Sequence, residues 1–187
     1  MSGAIFAIVG PSGAGKDTVM AAVKAARPDL HLVRRVITRP EAAGGEDFEG
    51  VSAEDFAARA AAGAFALSWS AHGLRYGIPV SEVAGVAEGR VVLFNGSRGM
   101  LQDAARVFSG LRVISLGASD EVLAARLRAR GRESEQDIAA RLERAKLPLP
   151  EGLPAGLSVT RIDNSGALDH AVKAVLTALR RERDAVG

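Results

Sequence analysis

The sequence contains no cysteine and few aromatic residues, and its charges nearly cancel. Aromatic side chains make up 4% of its 187 residues, and 24 Lys and Arg stand against 22 Asp and Glu. The lack of cysteine excludes disulfide scaffolds, zinc fingers, iron–sulfur sites and thiol nucleophiles, and it favours a reducing compartment, so we expect a cytoplasmic location. Nucleic-acid-binding proteins usually combine a clustered basic excess with aromatic side chains that stack on bases, so we expect no nucleic-acid partner.

Long hydrophobic runs are also missing. A membrane span needs roughly 20 consecutive apolar residues, and no stretch of this chain approaches that length, so we expect no membrane partner. Residues 4–9 are apolar but too few, and they lack a basic leader, so we predict a buried strand there. The chain is 48% hydrophobic and 25% charged, a composition typical of a folded globular protein whose length suits one domain.

Short apolar runs alternate with amphipathic stretches of helical length along the chain. This alternation is typical of strands joined through helices into a mainly parallel sheet, so the predicted fold class is α/β. The predicted core strands are rich in Val, Ile or Leu and cover residues 4–9, 31–36, 90–94, 111–116 and 157–162. The predicted helices cover residues 16–26, 54–62, 98–108, 121–130, 135–146 and 167–183. Ser52 and Ser119 are predicted to cap helix starts, and Gly63, Gly89 and Gly131 to end structural elements.

The stretch GPSGAGKD at residues 10–17 follows the first predicted strand and opens the first predicted helix. It has the G-x-x-x-x-G-K spacing of a phosphate-binding loop, in which glycines let successive backbone amides converge on a polyphosphate. Lys16 is predicted to be catalytic because its charge can reach the transferring phosphate. The alternative is a glycine-rich turn with an exposed lysine. The residues predicted to bind ATP here are Gly10, Pro11, Ser12, Gly13, Ala14, Gly15, Lys16, Asp17 and Thr18.

Asp17 occupies the position at which this motif normally has Ser or Thr, whose hydroxyl binds Mg²⁺. A carboxylate is a good ligand for a hard cation, so Asp17 is a candidate magnesium ligand, directly or through water. An acid in the first helical turn would also stabilise the helix dipole without any metal. Both roles stay open at the level of sequence.

Further motifs follow the loop in an order that resembles the guanylate kinase family over nearly the whole chain. They are ITRP (37–40), GGE (44–46), ALSW-AHGL-YGI (66–78) and NGSR (95–98), and their combination resembles the ribose 1,5-bisphosphate phosphokinase branch of that family. The resemblance implies one P-loop domain over residues 1–187, built as a three-layer sandwich on a five-stranded core sheet. It also implies a small β insert at residues 63–79 that binds the acceptor and a helical lid at residues 126–146.

The resemblance implies ATP-dependent phosphorylation of ribose 1,5-bisphosphate to 5-phosphoribosyl 1-diphosphate, in phosphonate catabolism, with ATP and Mg²⁺ as cofactors. Alternatives are a guanylate kinase, another small-molecule kinase of this fold, or a non-catalytic binding module. The expected partners are therefore ATP and a sugar bisphosphate. The oligomeric state stays open, and a homodimer is one option.

The acceptor-binding residues carried over from the family are Arg39, Ser68, Tyr76, Asn95, Ser97 and Arg98. Guanylate kinases use a second arginine where this chain has residues 41–43, a tyrosine near Phe48, and carboxylates to read the guanine edge where this chain has Ser68 and Asn95. Guanine presents neighbouring N–H donors, so losing both carboxylates disfavours guanine and favours a smaller, base-free sugar phosphate. Ser97 as a helix cap and Arg39 as a solvated loop residue are the alternatives.

Arginines recur between residues 126 and 144. The resemblance assigns Arg126, Arg130 and Arg141 to a lid that closes over the ATP phosphates, and we predict that they are catalytic. Asn164 is predicted to lie on the adenine side. A structural lattice of ion pairs is the alternative for the lid, and we assign the remaining members to solvated faces. These are Arg128, Arg132 and Arg144, paired with Glu133, Glu135 and Glu143.

Overall fold

The chain alternates strands and helices as the sequence predicts. The computed structural model describes residues 3–43, 45–131 and 133–180. In chain order the strands are β1 (Ala4–Val9), β2 (His31–Leu32), β3 (Arg35–Ile37), β4 (Phe48–Gly50), β5 (Phe65–Ala71), β6 (Leu74–Pro79), β7 (Val91–Asn95), β8 (Arg112–Gly117) and β9 (Ser158–Asp163). The helices are α1 (Lys16–Ala26), α2 (Ala53–Ala61), α3 (Val80–Val83), α4 (Leu101–Val107), α5 (Asp120–Arg130), α6 (Glu135–Lys146) and α7 (Leu168–Arg180). Single 3-10 turns lie at Glu41–Ala43, Ala84–Val86 and Arg98–Met100.

The main sheet has five strands in the order β2-β7-β1-β8-β9, and all its pairings are parallel. Every residue of β1 is buried, as expected for the middle strand of a sheet covered on both faces. Because the strands are parallel, their carboxyl ends meet at one edge, which is where open α/β sheets bind ligands. Gly10 directly follows β1, and the neighbouring parallel strand β7 ends at Asn95. The phosphate-binding loop and the NGSR motif therefore adjoin each other.

Hydrophobic layers cover both faces of this sheet. Alternate β1 side chains face opposite ways: Phe6 and Ile8 pack with α1 and α7, whereas Ile5 and Val9 pack with α4 and the strands β5 and β6. Period-two alternation within a wholly apolar strand is what a doubly covered sheet requires. The predicted three-layer α/β sandwich with a five-stranded parallel core is confirmed.

A second sheet contains four strands in the order β4-β3-β6-β5. Strands β5 and β6 form an antiparallel hairpin whose turn residues His72 and Gly73 have φ values of 53° and 75°, typical of a tight hairpin turn. The predicted insert at residues 63–79 covers only this hairpin. The sheet also recruits β3 and β4 from earlier in the chain.

The prediction of one core strand over residues 31–36 is wrong. His31–Leu32 pairs with β7 in the main sheet, whereas Arg35–Ile37 belongs to the second sheet. Between them the amide of Arg34 donates to the Glu82 carboxylate instead of a strand partner, which ends the first pairing. The pattern of residues 31–36 gives no sign of such a change of sheet.

Helix positions agree closely with the sequence prediction. Ser52 and Ser119 accept hydrogen bonds from the amides of Asp55 and Val122, so both predicted caps are confirmed. Gly131 ends α5 in the left-handed region. The predicted last helix extended to residue 183, and residues 181–183 lie outside the described part of the chain. Among the described residues, no helix is long and apolar enough to cross a membrane.

Candidate active site

The loop at residues 10–15 connects β1 to α1 in a conformation that only glycine tolerates at several positions. Gly13 and Gly15 have φ values of 88° and 86°. A Cβ at Gly10 would lie 2.1 Å from the carbonyl oxygen of Leu116, so β8 packs directly against the loop backbone. Gly15 caps α1 without a side-chain hydrogen bond, which leaves the first helical amides to water or to an anion.

Lys16 folds back over this loop. Its Nζ donates to the carbonyl oxygens of Gly10 and Pro11 at 2.9 and 3.2 Å. Burial lowers the pKa of Lys16 to about 8, Asp17 opposes the shift, and the charge of Arg35 adds to it. A phosphate bound in the loop would stabilise the charged ammonium, so the site is arranged to favour an anion.

Asp17 and Asn95 join the loop to the end of β7. The Nδ2 of Asn95, itself only 7% exposed, donates to Asp17 Oδ1 at 3.0 Å. Asp17 is exposed, and its Oδ2 lies on the side of Gly45. No group of three metal-ligating side chains occurs among the described residues. This arrangement fits Mg²⁺, which binds through one or two carboxylates together with substrate phosphates rather than in an all-protein cage.

A cleft of about 660 Å³ opens over the loop and runs to the second sheet. Its walls come from the loop, β3, β5, β6, the end of β7, and the helices α5 and α6. Its charged side chains are strongly biased toward cations, with Asp17 as the only acid among the described lining residues. The cationic ones are Lys16, Arg35, Arg39, Arg98, Arg130, Arg141 and Arg144.

The acceptor end of the cleft is built around Arg35, a residue that the sequence analysis missed. Arg35 is buried on β3 and pairs with Glu46, its Nε donating to Oε2 at 3.1 Å and its Nη2 donating to Oε1. Its guanidinium carbon lies 5.0 Å from the Tyr76 ring centroid and 5.8 Å from that of Trp69. The two rings stack at 5.3 Å with an angle of 10°. The predicted site residue Tyr76 therefore lies in the cleft, with Trp69 beside it.

Two other predicted acceptor residues lie in different places. Arg39 lines the cleft and packs its guanidinium over the Phe48 ring at 4.4 Å. Ser68 is exposed and does not line the cleft, because its neighbours Leu67 and Trp69 point to the opposite face of β5. In this conformation Trp69 rather than Ser68 lines the cleft, and the assignment of Ser68 to acceptor binding stays a prediction.

Ser97 and Arg98 both line the cleft at the start of the 3-10 turn after β7. Ser97 occupies the cap position but makes no side-chain cap hydrogen bond. Arg98 donates to the carbonyl oxygens of Arg144, Ala145 and Leu147 at the end of α6. In this conformation Arg98 therefore ties the lid helix to the sheet edge instead of pointing its donors at the cleft.

Arg126 and Asn164 brace the loop from its outer side. Arg126 donates to the carbonyl oxygens of Gly13 and Asn164 at 3.2 and 2.7 Å, and Asn164 Nδ2 donates to Ala14 O at 2.8 Å. They line a second cavity of about 380 Å³, which Arg130 shares with the main cleft. Buried Asn164 also has an Oδ1 without a hydrogen-bond partner, a polar atom that suits a donor from a bound ligand.

The remaining lid residues differ from the prediction in their pairing. Arg141 donates to Ser12 Oγ at 2.9 Å, so α6 contacts the loop directly, and it pairs with Glu133 at 2.8 Å. Among the described residues, the partner of Glu133 is therefore Arg141 and not Arg128 or Arg144. Arg128 pairs with Glu135, as predicted, whereas Glu143 pairs with Lys146. Arg144 lines the cleft, and the prediction for Arg132 lies outside the described residues.

Comparison with solved structures defines the class of the protein. Guanylate kinase from Anaplasma phagocytophilum matches with a TM-score of 0.71 over 99% of this chain and 88% of that one, at 19% identity. A gluconokinase from Sinorhizobium meliloti 1021 matches with a TM-score of 0.54 at 18% identity, over 95% of this chain and 92% of that one. The fold is that of the guanylate-kinase-like P-loop kinases.

Sequence comparison identifies the family within this class, although no family model matches the chain. "Ribose 1,5-bisphosphate phosphokinase PhnN" from Ruegeria sp. (strain TM1040) is 50% identical over 182 residues, covering 97% of this chain and 94% of that protein. The protein of the same name from Agrobacterium fabrum is 47% identical over 180 residues, covering 95% and 96%. The chain belongs to the ribose 1,5-bisphosphate phosphokinase family, and it is a kinase.

A further relative places the same unit in a longer protein. "Bifunctional ribose 1,5-bisphosphokinase-thymidine phosphorylase" from Cupriavidus necator is 41% identical over 180 residues, which cover 96% of this chain but 29% of that protein. The unit that this chain matches therefore also occurs as one part of a longer, bifunctional relative.

Proposed function

We propose that the protein transfers the γ-phosphoryl group of ATP to the 1-phosphate of ribose 1,5-bisphosphate, yielding 5-phosphoribosyl 1-diphosphate and ADP. The observation that carries this proposal is the family membership together with a cleft in which seven cationic side chains face one carboxylate. Such a cleft suits two highly anionic substrates that must approach each other. The family relationship extends the proposal to a role in phosphonate catabolism.

The bonds formed and broken need no catalytic base. An oxygen of the 1-phosphate attacks the γ-phosphorus, the bond from that phosphorus to the β,γ-bridging oxygen breaks, and ADP carries away that electron pair. The attacking oxygen is already anionic near neutral pH, since the second pKa of a phosphate is about 6. The barrier is therefore charge repulsion and positioning, which fits a site rich in arginine.

The loop side supports ATP as the donor. The glycine conformations, the helix start at Lys16 and the cation itself form a receptor for a polyphosphate. The neighbouring cavity, with the unpaired Oδ1 of Asn164, offers room and a hydrogen-bond acceptor for the base. Asp17 is the residue that would hold Mg²⁺, directly or through water, and the ion would neutralise part of the charge on the phosphates.

The lid side supplies charge and closure. Arg141 contacts Ser12 of the loop, and Arg130 lies between the main cleft and the second cavity, so both can approach ATP phosphates. Arg126 contributes by holding loop carbonyls in place. Closure of residues 126–146 over the substrates would exclude water and limit ATP hydrolysis.

Guanylate kinase activity is the alternative that the fold raises, and the acceptor end argues against it. Asn95 is a neutral amide, and Glu46 is engaged by Arg35 through both carboxylate oxygens, so neither offers a free carboxylate to the guanine edge. A buried donor edge left without an anionic partner costs binding energy. The sugar bisphosphate has no such edge.

An acceptor assay tests the proposal. ADP release is followed with purified protein, Mg²⁺ and ATP, using ribose 1,5-bisphosphate or GMP as the acceptor. We expect kcat/KM for the sugar bisphosphate to exceed that for GMP by at least about 10³-fold, since sites discriminate strongly through unpaired polar groups. Robust GMP phosphorylation without a diphosphate sugar product would overturn the assignment.

A further inference from the structure

The acceptor carries two phosphates, and the cations at the loop end of the cleft account for one of them. The reacting 1-phosphate has to lie near Lys16 and Asp17, where the phosphoryl group of ATP arrives. Arg39 adjoins this place, because a Cβ at Gly45 would lie 3.7 Å from Asp17 Oδ2 and 3.8 Å from Arg39 Nη2. The 5-phosphate, at the other end of the pentose, needs a cation besides Lys16 and Arg39.

Arg35 has the properties expected of that cation. It lines the cleft from β3, its side chain is 6% exposed, and it lies against the stacked rings of Tyr76 and Trp69. A charge held at such a place is costly unless it has partners. Glu46 provides one partner, and it does so from outside the cleft lining.

The pair with Glu46 uses only part of the guanidinium. Nε and Nη2 donate to the two carboxylate oxygens, which leaves the Nη1 hydrogens outside the pair. A guanidinium has five N–H donors in a fixed plane and can bind two anions along different edges. With one edge held by Glu46 and one face against the rings, Arg35 is oriented before any ligand arrives, which lowers the entropic cost of binding.

We propose that Arg35, oriented by Glu46 and by the Tyr76 and Trp69 rings, binds the 5-phosphate of the sugar bisphosphate and determines specificity for a doubly phosphorylated acceptor. This proposal rests on the proposed function. Arg35 is here a binding residue, and Glu46 is a positioning residue that acts through it. No covalent step involves either residue.

Competitive inhibition by two monophosphates separates the two ends of the acceptor. Ribose 5-phosphate carries only the distal phosphate and ribose 1-phosphate carries only the reacting one, and the inhibition constant of each is measured against ribose 1,5-bisphosphate. The test variant is Arg35→Met, which keeps an unbranched apolar stem of similar length. For it we expect a 10- to 100-fold weaker inhibition constant for ribose 5-phosphate and less than a threefold change for ribose 1-phosphate.

Controls keep a folding defect from imitating this result. Arg35→Met alone leaves Glu46 without its cation, so the double variant Arg35→Met/Glu46→Gln is measured as well, together with thermal unfolding of each protein. Arg75→Met is the matched control, because Arg75 also covers an aromatic ring, that of Phe56 at 4.5 Å, but lies outside the cleft lining. We expect Arg75→Met to change neither inhibition constant. We expect Glu46→Gln to weaken inhibition by ribose 5-phosphate only, and to raise the KM for ribose 1,5-bisphosphate with little change in kcat.

The outcomes separate this proposal from the one on which it rests. If the wild type converts ribose 1,5-bisphosphate but Arg35→Met and the double variant weaken both monophosphates equally, Arg35 is structural and the inference is wrong. An unchanged constant for ribose 5-phosphate in either variant also overturns it. If the wild type converts no sugar bisphosphate, the proposed function has failed, and the inference fails with it before any variant is measured.

Discussion

The two ends of the cleft are built in different ways. The phosphate-binding end comes from one continuous stretch, residues 10–18, whose shape follows from glycines at fixed spacing between a strand and a helix. The acceptor end is assembled from β3, β5, β6 and the end of β7, which are far apart in the chain. A local motif therefore predicts the backbone of the first end, whereas the second depends on tertiary packing.

This difference accounts for which parts of the fold and site follow from sequence. The loop, the five-stranded sheet and the helix caps depend on local periodicity and turn chemistry, and they agree with prediction. Arg35 was missed because residues 31–36 were predicted to form a single core strand, whereas the chain changes sheets at Arg34. Motif position does not specify which face of β5 a side chain occupies, and Trp69 rather than Ser68 lines the cleft.

The lid illustrates the same limit. Its arginines are visible as a pattern in the sequence, but their partners are not. Arg98 binds the end of α6, which is distant from it in the chain. Glu133 lies just before α6 and pairs with Arg141 within that helix. The cytoplasmic location and the homodimer stay predictions.

Removing the cation of the loop should have the largest effect. Lys16→Ala is expected to lower kcat about 10²- to 10³-fold, the size typical for loss of one group that stabilises transition-state charge. Thermal unfolding should stay near that of the wild type, because the side chain bonds only loop carbonyls. Lys16→Arg is the matched variant that keeps the charge. A loss of less than about tenfold in Lys16→Ala would contradict the role of this end.

A methyl group at Gly15 tests whether the loop conformation itself matters. Gly15→Ala places a Cβ 2.7 Å from Asn164 Nδ2 at a φ of 86°, which strains the backbone by about 1–2 kcal/mol. The added carbon also displaces the Asn164 amide, which donates to the loop at Ala14 O. Gly63→Ala is the matched control, with a φ of 73° and no atom within 4 Å of the added carbon. We expect only Gly15→Ala to weaken ATP binding, about tenfold or more, by calorimetric titration. Equal ATP affinity in both variants would show that neither this loop conformation nor the hydrogen bond from Asn164 is needed for ATP binding.

The pH dependence should report on the loop end through Lys16. Burial lowers the pKa of Lys16 to about 8, so the free enzyme loses this charge as the pH rises through that value. We expect kcat/KM for ATP to fall up to tenfold per pH unit above about 8, and kcat at saturating ATP to fall less, because bound phosphate favours the charged lysine. Lys16→Arg should abolish this decline. A decline of the same form in that variant would assign it to another group.

The smallest effect is expected from substitutions on the two faces of β5. Trp69→Ala removes the ring that stacks on Tyr76, and we expect KM for the sugar bisphosphate to rise about 3- to 10-fold, as for loss of an aromatic pair. Ser68→Ala, on the exposed face, should change KM less than about twofold. Steady-state kinetics with both variants decides the question. A larger effect of Ser68→Ala than of Trp69→Ala would support the assignment of Ser68 to acceptor binding.

The position of the transferred phosphate is the most direct test of the whole account. Phosphorus NMR follows a mixture of the protein, Mg²⁺, ATP and ribose 1,5-bisphosphate. We predict that ADP forms together with a pair of coupled diphosphate resonances on the sugar, while the 5-phosphate monoester resonance persists. Release of inorganic phosphate alone, or addition of the new group at the 5-position, would contradict the account.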